Sequence, residues 1–228
     1  MIARAWFWWL DYVYVTYWQL RHVLGRFDAE RWHRGELAPV LLLPGVYETW
    51  QFLRPIAERL NAAGHPVHIV RELGYNRDAI PDAAAVAQRY LDGAGLTDVI
   101  VVAHSKGGLI GKHMMLFDDT AQRTACMVAI ATPFSGSVYA RYFLNRSIRA
   151  FRPTEPTLAR LSANAEANAR ITSIFGIFDP HIPAGSRLEG AENVQLPVYG
   201  HFRILSDDRV IAEVEKVIAS AGPRSGVD

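Results

Sequence analysis

Six short apolar runs, alternating with segments of helical pattern, restrict the fold of this chain more than any other feature of its sequence. They are PVLLLPG (39–45), HPVHIVREL (65–73), DVIVVAHS (98–105), CMVAIATP (126–133), ITSIFGIFD (171–179) and NVQLPVYG (193–200). Several are apolar almost without interruption, which suits strands covered on both faces. The segments between them carry helix ends. One helix is expected from about Thr49 to Ala63, stopping at Gly64 and kinked at Pro55. Another opens at Pro81 and ends before Gly93, and a third follows Ser105 directly. A last one runs from Asp207 to Ser220, with Ser206 as its cap and Gly222-Pro223 beyond its end. Such alternation folds as a parallel sheet with right-handed crossovers and helices on both faces. The longest interval between strands, 134–170, contains the helical stretch TEPTLARLSANAEANAR and reads as a cap (about 137–170) over one sheet edge.

With 228 residues, half of them hydrophobic and 21% charged, the chain has the material for one well-packed domain. We divide it into an amino-terminal aromatic helix and linker, 1–38, and an α/β domain, 39–228. A formal charge of +1 gives no global field that would attract nucleic acid. The single cysteine, Cys126, precludes an internal disulfide and sits in the apolar run ACMVAIA, where a buried hydrophobe is expected. A reducing, cytoplasmic compartment fits that usage.

The stretch AWFWWLDYVYVTYWQL, Ala5 to Leu20, falls short of a membrane span and carries Asp11 in its middle. It also lacks the cleavage site of a secretory signal. Trp6, Leu10, Val13, Tyr17, Leu20 and Leu24 recur at helical spacing, with Asp11, Gln19, His22 and Arg26 largely opposite. This stripe is expected to dock on the domain or on a second copy of the chain, or to lie on a lipid surface. Residues 5–24 are therefore the place for homo-oligomer or peripheral membrane contact. On this division of labour, a chain lacking residues 1–26 should keep the function of the α/β domain largely intact and lose only that association.

Ligands of parallel α/β sheets collect at the carboxyl ends of the strands. Those ends carry Pro44-Gly45-Val46, Ser105, Thr132-Pro133, Asp179 and His201. A serine hydroxyl is almost fully protonated at neutral pH, so it needs an imidazole base and a carboxylate that orients it. Ser105 closes a strand and opens a helix, the setting of the strained nucleophile-elbow turn G-x-S-x-G. Gly107 fills the last position and Ala103 replaces the first glycine.

PVLLLPGVYETWQFLRPIAERL, AHSKGG, ATPFSGS, FDPHIP and YGHFRIL occur in the order found in the α/β-hydrolase superfamily. Over residues 39 to 217 the chain resembles its small lipase-like serine esterases. The resemblance implies an α/β-hydrolase fold and a serine–acid–histidine order met by Ser105, Asp179 and His201. Asp179 ends the fifth run, where a turn residue before Pro180 would also be at home; Glu189 and Glu192 lie in the loop beyond. His181 competes for the role of base, but two residues from Asp179 it would have to meet the carboxylate very tightly. His104 is expected in the packing of the elbow, and His113 on the helix behind it. The oxyanion donors implied are the backbone amides of Lys106 and Val46, although the family often has histidine where this chain has Pro44. The Lys106 side chain itself is expected in solvent.

No cofactor and no metal are expected, because neither zinc-ligand spacing nor a glycine-rich dinucleotide turn occurs. The implied activity is hydrolysis of a carboxylic ester through an acyl-enzyme, with a small-molecule or lipid ester as partner. Val138, Tyr139, Tyr142, Phe143 and Phe151 of the cap could line an acyl pocket. Arg141, Arg146, Arg149 and Arg152 would form a solvated face or meet anionic headgroups. Acyl transfer or thioester cleavage by the same residues, and a noncatalytic binding protein of this fold, are the alternatives.

Overall fold

The structure, a computed structural model, describes residues 2–25, 29–142 and 145–220. Its elements in chain order are helix α1 (Ile2–Leu24), strand β1 (Val40–Leu43), helix α2 (Arg54–Ala62), strand β2 (Val67–Ile69), helix α3 (Ile80–Gly93), strand β3 (Val99–His104) and helix α4 (Lys106–His113). Strand β4 (Thr124–Ile130), short helix α5 (Arg146–Arg149), helix α6 (Pro156–Ala163), strands β5 (Ile171–Phe178) and β6 (Glu192–Tyr199), and helix α7 (Asp208–Ser220) follow. The strands form one sheet in the order β2-β1-β3-β4-β5-β6, and every neighbouring pair is parallel. All six apolar runs of the sequence become strands of this sheet.

The sheet divides the interior into two cores, because successive side chains of a strand point to opposite faces. Val40, Leu42, Ile100, Val102, Val128 and Ile130 face α2 and α7. Leu41, Leu43, Val101, Ala103, Met127 and Ala129 face α3, α4 and α6. Burial on both faces explains the unbroken apolar character of β1 and β3. Pro197 sits in β6, an edge strand, where a missing backbone donor is tolerated.

Several boundaries differ from expectation. Pro55 does not kink a helix; it lies in the first turn of α2, and the residues before that helix, Trp50–Leu53, wind as a 3-10 turn. Proline suits that first turn because its missing N–H would have no intrahelical partner. Asp207, not Ser206, stands before α7, and its carboxylate accepts the Arg209 amide at 3.0 Å. Gly222-Pro223 lie outside the described residues. The cap helix is shorter than its polar-apolar pattern, and Asn168–Arg170 form a separate 3-10 turn. Cys126 is half-buried at the edge of the core rather than enclosed.

The largest departure concerns α1. The helix forms, but the stripe expected to dock faces outward: Trp6, Val13, Tyr17, Leu20 and Leu24 are all exposed. The face one residue further round docks instead. Phe7 stacks on Tyr199 with centroids 4.6 Å apart, Asp11 is fully buried, the Tyr14 hydroxyl donates to the Phe52 carbonyl at 2.8 Å, and Trp18 joins the core. Gln19 and His22, placed on the outer face by sequence, look inward to Tyr47 and Tyr75. Arg26 lies outside the described residues. Among the described residues, no helix is long and apolar enough to cross a membrane.

Candidate active site

The site is built where β3 meets α4. Ser105 lies between them with φ 50° and ψ −117°, a left-handed backbone that a side chain adopts at a cost. Two glycines permit the turn. A Cβ on Gly107 would run into the Leu43 carbonyl at the end of β1, and one on Gly108 into the Thr132 side chain beyond β4. The helix can therefore start against the sheet only with these residues bare. Ala103, fully buried in β3, occupies the position where the motif has its first glycine.

His201 and Asp179 arrive from the ends of β6 and β5. The His201 Nε2 lies 3.0 Å from Ser105 Oγ, and its Nδ1 lies 2.6 Å from Asp179 Oδ2. Asp179 uses its other oxygen locally: Oδ1 accepts the amides of His181 at 2.7 Å and Ile182 at 3.1 Å. The carboxylate thus both closes a turn and faces the imidazole. Ser105 and His201 are buried, at 6% and 4% exposure.

Burial alone would lower the pKa of His201. The charge and hydrogen bond of Asp179 outweigh it, with smaller help from Glu48 and Asp11, and hold the pKa above its ordinary 6.5. Burial pushes Asp179 upward, but the neighbouring His201 charge and hydrogen bonds bring it below its usual value. His181, the competing base, stands aside. Its ring stacks on Trp8 with centroids 5.4 Å apart, and burial plus the His201 charge lower its pKa to about 4. Asp179, His181 and His201 each place a ligand atom within 4.8 Å of the others. Both nitrogens of His201 and both oxygens of Asp179 are already in hydrogen bonds, which accounts for the grouping without an ion.

The loop after β1 borders the serine. Lys106 opens α4, so its amide is among the first-turn donors that have no intrahelical acceptor. Val46 lies between Gly45, whose amide donates to Glu48 at 2.8 Å, and Tyr47, whose amide donates to the Tyr75 carbonyl at 2.8 Å. The Lys106 side chain is not in solvent. It is fully buried, and its ammonium donates to the Asn76 carbonyl at 2.9 Å, to Asn76 Oδ1 and to the Asp78 carbonyl. Asn76 in turn donates to the Pro44 carbonyl at 2.7 Å, so the lysine ties the loop after β2 to the loop after β1 beside the serine.

Glu48 and Asp11 escaped the sequence reading as residues of the site, whereas His104, expected in the packing of the elbow, is buried there. Glu48 is buried, and its carboxylate accepts from His104 Nδ1 at 2.8 Å. His104 reaches with Nε2 to the carbonyl of His201 at 2.9 Å. Asp11 accepts backbone N–H groups of the histidine loop. The one signal in the sequence was a lone acid in the middle of an aromatic helix. The expected acyl-pocket residues do not converge: Val138, Tyr139 and Tyr142 are exposed, while Phe151 is buried in the core. Phe143 and the Arg146 side chain lie outside the described residues. Arg141 and Arg149 are exposed, and Arg152 donates to the cap carbonyls of Ala140 and Arg141.

No protein-family model matches the sequence, and no curated protein matches it. Solved structures do. The mature lipase BlEst2 of Bacillus licheniformis superposes with a TM-score of 0.66 at 13% identity, covering 82% of this chain and 92% of the lipase. The putative non-heme bromoperoxidase BpoC of Mycobacterium tuberculosis gives 0.64 at 16% identity, covering 83% and 94%. The epoxide hydrolase VrEH1 of Vigna radiata gives 0.58 at 14% identity, covering 82% and 92%. These proteins differ in chemistry and share an architecture. With its parallel sheet in the order above and these structural neighbours, the chain has the α/β-hydrolase fold.

Proposed function

We propose that this protein is a serine hydrolase that cleaves carboxylic esters through an acyl-enzyme. The observation that carries the reading is the continuous hydrogen-bond chain Ser105–His201–Asp179, at 3.0 and 2.6 Å, on a strained serine. In the first step Ser105 Oγ attacks the ester carbonyl while His201 Nε2 takes the hydroxyl proton. Asp179 fixes the tautomer with the proton on Nδ1 and stabilises the imidazolium that forms. The amides of Val46 and Lys106 hold the oxyanion of the tetrahedral intermediate. Its collapse breaks the ester C–O bond, and the leaving alkoxide collects the proton from His201. Water, deprotonated by the same imidazole, then attacks the acyl-serine, and collapse returns the proton to Ser105.

For substrate we favour acyl-lipid or medium-chain esters. This rests on the free aromatic face of α1, which adjoins the site through Trp8 and His181. We further propose that this face lies on a lipid surface, so that a lipid ester is presented where the enzyme rests.

Fluorophosphonate labelling tests the chemistry. The chain should be labelled, labelling should vanish in Ser105→Ala, and nitrophenyl ester hydrolysis should vanish with it. An unlabelled serine and an untouched ester panel would favour a noncatalytic binding protein. Product partition in the presence of an acceptor alcohol separates hydrolysis from acyl transfer.

A further inference from the structure

We propose that Asp11, on the amino-terminal helix α1, is a positioning residue for His201, fixing the backbone of the loop that presents the imidazole. The proposal deepens the serine-hydrolase reading and rests on it for its catalytic consequence. Three consecutive amides converge on this one carboxylate. The His201 N–H donates to Oδ2 at 2.6 Å, and those of Phe202 and Arg203 donate to Oδ1 at 3.1 and 3.0 Å. A row of backbone donors aimed into one concavity is an anion site, and here a residue more than 180 positions away in the chain fills it. Asp11 is fully buried, where an ionised carboxylate persists only with such charge-assisted partners.

The loop is shaped to receive it. Gly200 has φ +108°, and a Cβ there would stand 2.7 Å from Asp11 Oδ1, so the residue before His201 leaves the carboxylate its space. The carbonyl of His201 is held from the other side by His104 Nε2 at 2.9 Å, itself backed by Glu48. With its N–H and its C=O both gripped, the two peptide planes that flank the Cα of His201 cannot turn without breaking buried hydrogen bonds. Helix α1 also touches the loop after β1, where the Gln19 amide donates to the Tyr47 carbonyl at 2.9 Å. The amino-terminal helix is thus part of the frame of the site and not a detachable anchor.

Asp11→Asn is the incisive variant. Its amide keeps one acceptor oxygen and turns an N–H₂ toward an N–H donor. Expected is a fall in kcat of about 100-fold, the scale of a misplacement near 1 Å, with KM for the same short ester changed less than about twofold. Thermal melting and the low-field proton resonance of the His201–Asp179 hydrogen bond are recorded alongside. A folded Asp11→Asn in which that resonance broadens or shifts, with the kcat loss, supports the proposal; wild-type kcat and an unchanged resonance overturn it. If Asp11→Asn does not fold, Asp11→Glu, which keeps the charge but moves its oxygens by one methylene and leaves the histidine loop's own sequence intact, is read by the same two measures. Ser105→Ala separates the two claims. Should it keep full activity, the serine reading falls, and the resonance alone decides whether Asp11 positions His201.

Discussion

Ser105 holds a conformation that costs on the order of 1–3 kcal/mol, and Gly107 and Gly108 after it let the helix start against the sheet. Gly108→Ala would press a methyl group into Thr132, so we expect a stability loss of about 1–3 kcal/mol, seen as a lower melting temperature, together with slower fluorophosphonate labelling. The histidine sets the pH dependence. Its base form is the active one, and Asp179 holds its pKa above 6.5, so kcat/KM for an uncharged ester should rise with pH through an apparent pKa above that value. Asp179→Asn removes the largest charge that opposes burial and leaves only the smaller help of Glu48 and Asp11. The acidic limb should then move to lower pH, while kcat drops by about 10⁴-fold, the scale of losing the orienting carboxylate in a serine–histidine–aspartate arrangement. Ser105, Asp179 and His201 could be picked out in the sequence because each stands at the end of an apolar run, where the fold gathers ligands. Asp11 and Lys106 could not. The meaning of a buried charge lies in its acceptors or donors, and those of Lys106 are carbonyls of Asn76 and Asp78, supplied by another loop.

At the scale of elements, the strands were legible because burial on both faces writes an unbroken apolar run. Helix α1 was legible as a helix but not in its orientation. Its aromatic residues are so dense that two stripes of equal period, one residue apart, both look apolar. The stripe through Phe7, Asp11, Tyr14, Trp18 and His22 contains a carboxylate, which in sequence points to solvent but in the fold is satisfied by the amides of the His201 loop. The two faces can be told apart by stability. Trp18 is buried in the core cluster edge-on to Tyr14, so Trp18→Ala should cost about 3–5 kcal/mol in chemical denaturation. Trp6 is 55% exposed, and Trp6→Ala should change stability by about 0.5 kcal/mol or less. The reverse ranking would mean that the helix docks by the stripe the periodicity first selected. Removing the helix altogether strips Asp11 from the histidine loop and uncovers the partners of Trp18. Loss of hydrolysis is therefore expected even for a soluble ester, contrary to a division between anchor and catalyst.

For the molecule as a whole, the outward face of α1 is the feature that the fold leaves without a purpose. Trp6 and Trp9 stack there with centroids 5.0 Å apart, and Trp9, Tyr12, Val13, Thr16, Tyr17 and Leu20 line a shallow concavity beside them. Asp11, the only acid of the helix, is turned inward, while Arg21 is exposed. A surface of Trp and Tyr with an exposed guanidinium over the Tyr17 ring and no exposed carboxylate on the helix suits the boundary between headgroups and acyl chains, where an amphipathic ring satisfies both sides. A second copy of the chain would bring the same positive end against itself or leave it unpaired. The opposite face of the helix holds the His201 loop, so resting on lipid would set the serine close to the source of an acyl ester. Flotation with vesicles checks this. The protein should rise with anionic vesicles more than with zwitterionic ones, with a blue shift of tryptophan fluorescence and a weakening in high salt. Trp6→Ser with Trp9→Ser should reduce flotation while leaving hydrolysis of a soluble ester near its starting rate, since neither ring reaches the buried face. A protein that stays at the bottom of the gradient but doubles its mass in light scattering, and reverts to monomer in the double variant, would assign the face to a second copy instead.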